Sequence, residues 1–216
     1  MIINNTELIK SLLSFEDNND FYFIQIVKRR KENPNMSNGS QTLKNFYVNS
    51  LEYYDKMLPL IISFCDNENA RAYIRLNRRN YENLSQKMLF CSIKYIMNKN
   101  FKSLPNAFDS VSGDFHNDPI KKWLIDVDND DIEMGAHYVT DSNGEVKMVY
   151  GESNLSKLCA DVMKLQLQTK NEPMLQFIPT KNGMHIITRP FNLQVFRKIY
   201  FKIAVHKDAT TLLYCP

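Results

Sequence analysis

The chain has 216 residues, 44% hydrophobic and 12% aromatic, which is enough to bury a sizeable core and too apolar for a disordered chain. Its net charge of +3 is too small for bulk electrostatics to choose a partner. No apolar run approaches the roughly 20 residues of a membrane span, there is no leader-like N-terminus, and Cys65, Cys91, Cys159 and Cys215 form no C-x-x-C pair. A cytoplasmic protein with reduced thiols is expected, with no membrane association and with neither a disulfide framework nor a zinc site.

Asn5-Thr6-Glu7 before LIKSLL reads as a capped short helix. FYFIQIV, from Phe21 to Val27, is β-branched and aromatic and reads as a strand, and KENPNMSNGSQ as a loop. SLEYYDKMLPLIISFC has helical spacing with a kink expected near Pro59, and RAYIRLN follows as a strand. NYENLSQKMLFCSIKYIMNKN places Leu84, Met88, Cys91 and Tyr95 on one helical face. SLPNAFDSVSGDFHNDP reads as a turn-rich connector.

The second half has a clearer rhythm. KWLIDVD is a strand, EVKMVY fits a short extra one, and SNLSKLCADVMKLQLQTK is a helix capped by Ser153 or Asn154. MLQFIPT and GMHIITRP are strands joined by TKNG, NLQVFRKIY is a short helix, and FKIAVHK is a strand. The core order is β-α-β-β-α-β, a ferredoxin-like or recognition-motif-like arrangement. The fold class expected is α/β in the broad sense (α+β), with antiparallel or mixed sheets, as a single domain over residues 1–216. An N-terminal α/β half of about residues 1–118 and a C-terminal half of about 119–216 would share one groove.

Basic residues cluster at Lys28, Arg29, Arg30 and Lys31, at Arg71, Arg75, Arg78 and Arg79, and at Lys181, Arg189, Arg197 and Lys198. Tyr22, Phe23, Tyr73 and Tyr81 interleave the first two clusters, a pattern that suits polyanions; solvated strand ends explain any single cluster equally well.

Two motifs carry chemistry. In WLIDVD, Asp126 and Asp128 share a strand face while Ile125 and Val127 point the other way. Paired carboxylates repel unless a cation relieves them, and hard oxygen donors suit Mg²⁺ or Mn²⁺. A polar strand edge explains the pair when it stands alone. In PTKNGMHIITRPFN, Gly183 can make a tight turn, and Lys181, His185 and Arg189 offer three phosphate donors on one hairpin.

Together these motifs resemble the archaeo-eukaryotic primase superfamily, which includes primase small subunits, primase-polymerases and the polymerase domains of bacterial end-joining ligases. WLIDVD resembles the family's strand ending in D-x-D, and TKNGMHIIT its small-residue/Gly-x-His strand. The likeness spans roughly residues 70 to 214, with specific matches confined to the two motifs. It implies that Asp126 and Asp128 hold the catalytic metals, with Asp208 in the place of a third acid, and that His185 meets the incoming nucleotide with Lys181, Gly183 and Arg189 beside it. The implied activity adds nucleotides from nucleoside triphosphates to a 3′-hydroxyl on a nucleic-acid template or primer, with Arg29, Arg30, Arg75 and Arg78 tracking the strand. A helicase or other replication protein would be supplied by a separate chain, and a stand-alone core of this kind suits a phage or mobile element.

Two other readings compete. Asp128 followed by Glu145-x-Lys147 matches the pattern of a restriction-like nuclease, in which metal and lysine activate water. A non-catalytic nucleic-acid-binding module would keep its binding in EDTA and incorporate no nucleotide.

Overall fold

The computed structural model describes residues 2–37, 39–114, 118–129, 136–140, 146–150, 154–169 and 172–216. It is a mixed α/β chain with antiparallel sheets. Two compact units divide it: residues 1–121 with 208–216, and residues 122–207. Residues 208–216, which carry the last strand, belong to the first unit.

The first unit is built on a sheet in the order β1 (Ile3–Asn4), β12 (Thr210–Cys215), β4 (Arg71–Arg75), β2 (Asp20–Arg29), β3 (Ser40–Val48), with β5 (Arg79–Asn80) paired to β2. Strand β2 is buried on both faces over residues 20–24, which is why FYFI shows no alternation of apolar and polar residues. On one face Phe21 joins Leu84, Val111, Tyr47, Tyr81 and Phe108 in an aromatic cluster, and the Phe21 and Tyr81 rings stack at 4.2 Å. This cluster seats helices α3 (Tyr81–Met97) and α4 (Ala107–Asp114), which are linked by a 3-10 turn at Phe101–Asn106.

Helix α2 (Leu51–Glu68) packs on the same sheet through Tyr54, Leu58, Ile61 and Cys65. The Ser50 hydroxyl caps it by accepting from the Tyr53 N–H at 3.0 Å, and Asn69 closes it in the left-handed region at φ 47°. The helix runs unbroken through Pro59, which lies exposed on its outer side. Helix α1 (Thr6–Lys10) does start where expected, but Asn5 does not cap it. The Asn5 amide donates instead to Leu212 O at 2.9 Å.

Strand β3 carries no clear strand signal in the sequence, because TLKNFYV mixes lysine and asparagine into an edge position, where one side of the strand faces water. The stretch read as a connector holds the 3-10 turn and α4, since Phe108 and Val111 find burial against Phe21.

In the second unit a four-stranded antiparallel sheet has the order β11 (Ala204–His206), β6 (Trp123–Asp128), β10 (Gly183–Thr188), β9 (Leu175–Pro179). Helices α5 (Asn154–Leu167) and α6 (Leu193–Ile199) complete the expected β-α-β-β-α-β order. Ile125, Val127 and Ile186 point from the sheet into a core with Leu158, Val162 and Leu165 of α5 and Phe196 of α6. Helix α6 is capped by Asn192, whose side chain accepts from the backbone of Gln194 and Val195. A separate hairpin pairs β7 (Ala136–Thr140) with β8 (Val146–Tyr150). Ser153, named as a cap of α5, lies outside the described residues.

Candidate active site

Strand β6 is an interior strand, hydrogen-bonded to β10 on one side and β11 on the other. With Ile125 and Val127 committed to the core, the pleat turns Asp126 and Asp128 to the opposite face. Asp126 keeps 44% of its side chain accessible, so a carboxylate stands on that face without full desolvation.

The register of β10 joins the two motifs. Gly183 is opposite Asp128, and His185 is opposite Asp126. Directly opposed residues share a face, and His185 Nε2 lies 3.5 Å from Asp126 Oδ1. The imidazole is only 14% accessible. Burial pushes its pKa below the ordinary histidine value; Asp126 opposes that shift, His206 adds to it, and Asp128 opposes it more weakly.

Gly183 is required by space. A Cβ there would sit 2.1 Å from Val127 O and 2.8 Å from Asp128 Cα. The two backbones approach at the residue that presents the second carboxylate, and any larger side chain would force them apart. The approach is clamped from both sides: the Asn129 N–H donates to Asn182 O at 2.8 Å, and the Thr180 N–H donates to Gly183 O at 3.0 Å. Lys181 is exposed in this turn, at the Asp128 end of the sheet.

Other expected residues have surroundings of their own. Arg189 follows β10 at the Trp123 end, about 13 Å along the strand from His185 at some 3.3 Å per residue. Its backbone N–H donates to Gln166 Oε1 at 3.0 Å. On β11 the residue opposite Asp126 is Ala204. Asp208 belongs to the first unit, where its carboxylate accepts from Arg79 Nη2 at 2.7 Å and Asn77 Nδ2 at 2.9 Å, with Arg75 Nη1 at 3.5 Å. It acts there as the counter-ion of a fully buried arginine.

The arginine cluster is similarly absorbed. Arg78 is buried, with Glu16 at 2.9 Å and Asp20 at 3.3 Å. Arg71 pairs with Glu32, and Arg75 Nη1 also donates to Asp208 O. Of the four arginines expected to follow a nucleic-acid strand, Arg30 is exposed, Arg29 donates to Tyr73 Oη at 3.3 Å, and Arg75 and Arg78 face carboxylates of their own unit. Glu145 lies outside the described residues, as does the side chain of Lys147, although its backbone runs in β8.

One residue escaped the sequence reading. His206, opposite Leu124 on β11, stands on the same face as Asp126 and bears electrostatically on His185. Its signal was the alternation A-V-H, which sends Val205 inwards and His206 to the acidic face. Comparisons with protein-family models, curated proteins and solved structures find no match to this chain.

Proposed function

We propose that the chain is a metal-dependent nucleotidyltransferase of the primase and primase-polymerase kind, adding nucleoside triphosphates to a 3′-hydroxyl on a nucleic-acid template. The observation that supports it most is the β6–β10 register, which sets the D-x-D carboxylates against a sterically obligatory glycine and a largely buried histidine on one sheet face. A polar strand edge alone would not need that glycine.

The donor set fits Mg²⁺ or Mn²⁺. Among the described residues no group of three or more His, Cys, Asp or Glu gathers to bind a metal by protein alone. Two carboxylates with phosphate oxygens and water completing the sphere are the usual arrangement for Mg²⁺. Bound ions would supply electrophilic activation of the transferred phosphoryl group. The chain's own part is to hold and orient. Asp126 and Asp128 provide the anionic face, His185 a hydrogen-bond donor beside it, and Lys181 a cation at the end where Asp128 stands. Arg29 and Arg30 remain the basic residues for a nucleic-acid strand, and the partner replication protein and phage-like setting belong to this same proposal.

Primer extension and primer synthesis with Mg²⁺ or Mn²⁺ test the reading. Wild type should incorporate nucleotides, EDTA should stop it, and Asp126→Ala or Asp128→Ala should reduce incorporation to background while leaving the melting temperature in EDTA unchanged or slightly raised. Metal-dependent cleavage that ignores nucleotides and is lost in Lys147→Ala would replace this reading by the nuclease. Nucleic-acid binding that persists in EDTA without incorporation would leave a binding module.

A further inference from the structure

Helix α3 is apolar on two opposite sides. At about 100° per residue, Leu84, Met88, Cys91 and Tyr95 fall on one narrow stripe. That stripe faces the aromatic cluster, where Leu84 is buried and Cys91 packs. Leu89, Phe90, Ile93, Ile96 and Met97 form an arc of about 120° on the far side. They are 58%, 69%, 44%, 50% and 78% exposed. Single exposed leucines are ordinary; a contiguous apolar stripe of five large side chains is the mark of a surface that another molecule covers. The arc has the width with which one amphipathic helix packs on another.

The rim of the stripe selects the occupant. Lys94 borders one flank, and Lys99 and Lys102 follow at the C-terminal end, all exposed. Glu82, at the opposite end, is the only acidic residue in the helix. A second copy of this chain is a poor match. Its α3 offers the single acid Glu82 against these lysines, and in a parallel pair the two Glu82 residues would lie together at the end away from them. We propose that the outer face of α3 docks an amphipathic helical segment of another protein, apolar along one stripe and acidic at its flanks.

The test uses the full chain with two synthetic probes. One is a 21-residue helical peptide with leucine at its heptad core positions and glutamate flanking them, and the other carries lysine in place of glutamate. Anisotropy titration should show the glutamate peptide binding at least tenfold more tightly than the lysine peptide, with the preference collapsing as salt rises. Phe90→Ser/Ile93→Ser should weaken the glutamate peptide at least tenfold with no loss of melting temperature, since neither side chain packs inwards. Lys94→Glu/Lys99→Glu/Lys102→Glu should reverse the preference between the two peptides. Equal binding of both peptides, no binding of the glutamate peptide, or an unreversed preference in the charge-swapped variant would overturn the proposal. So would a sedimenting dimer, or capture by phosphatidylcholine–phosphatidylglycerol vesicles, that Phe90→Ser/Ile93→Ser abolishes. These readouts are independent of nucleotide incorporation, so failure here leaves the active-site reading standing.

Discussion

Replacing Gly183 by alanine adds a single methyl group at the point where β10 and β6 approach. That carbon would meet Val127 O at 2.1 Å and Asp128 Cα at 2.8 Å, both backbone atoms that no side-chain rotation can move. Ordinary contact needs about 3.4 Å or more, so the strands must part by over 1 Å at the Val127 carbonyl, carrying the adjoining Asp128 backbone with it. Overpacking of this kind costs about 1–3 kcal/mol. The neighbouring Asn129 N–H to Asn182 O bond is strained in the same movement, adding about 1 kcal/mol if it is lost. The expected destabilisation is about 2–4 kcal/mol, read as a lower urea midpoint with little change in slope. Activity should fall further than stability explains, because a displacement of about 1 Å in a catalytic group can cost on the order of a hundredfold in rate. Gly39→Ala is the control: nothing lies within 4 Å of its added carbon, so its stability should be unchanged or rise by up to about 1 kcal/mol. A Gly183→Ala protein as stable as the control would refute the close approach, and with it the reason for a glycine beside the carboxylates.

Asp208→Ala leaves the fully buried Arg79 guanidinium without its counter-ion and should cost about 3–5 kcal/mol in a urea melt, whereas a residue serving only as a metal ligand would leave EDTA-treated protein as stable as before. His185 has its pKa depressed by burial, so the stability it contributes is complete above its unfolded value of about 6.5 and is lost as pH falls from there towards the folded pKa. Asp126→Asn removes a group that raises that pKa, and an NMR titration of the metal-free protein should show the His185 midpoint moving lower still; an upward move would contradict the 3.5 Å geometry. His185→Ala should weaken nucleoside triphosphate binding by about ten- to a hundredfold while sparing Mn²⁺ binding, and unchanged nucleotide affinity in a folded variant would remove His185 from the site.

The second unit was largely legible in the sequence because its signals are local. Alternation in WLIDVD assigns Ile125 and Val127 to the core and the two aspartates to the other face, whatever the strand pairs with. TKNG between two β-branched runs announces a hairpin, and the spacing of Leu158, Val162 and Leu165 announces a helix. Those features determined the β-α-β-β-α-β order and the residues of the candidate site. What pairing alone decided is that Gly183 stands against Asp128 and His185 against Asp126, because register depends on which strand lies alongside. The same dependence hid His206, whose face is settled only by β11 joining β6. In the first unit the sequence misled for a related reason. Arg71, Arg75, Arg78 and Arg79 read as a surface cluster, yet Glu16, Asp20, Glu32 and Asp208 meet them from far along the chain. A charge is solvated or buried according to whether a counter-charge reaches it, and that partner is chosen by tertiary contact across separations that local pattern does not carry.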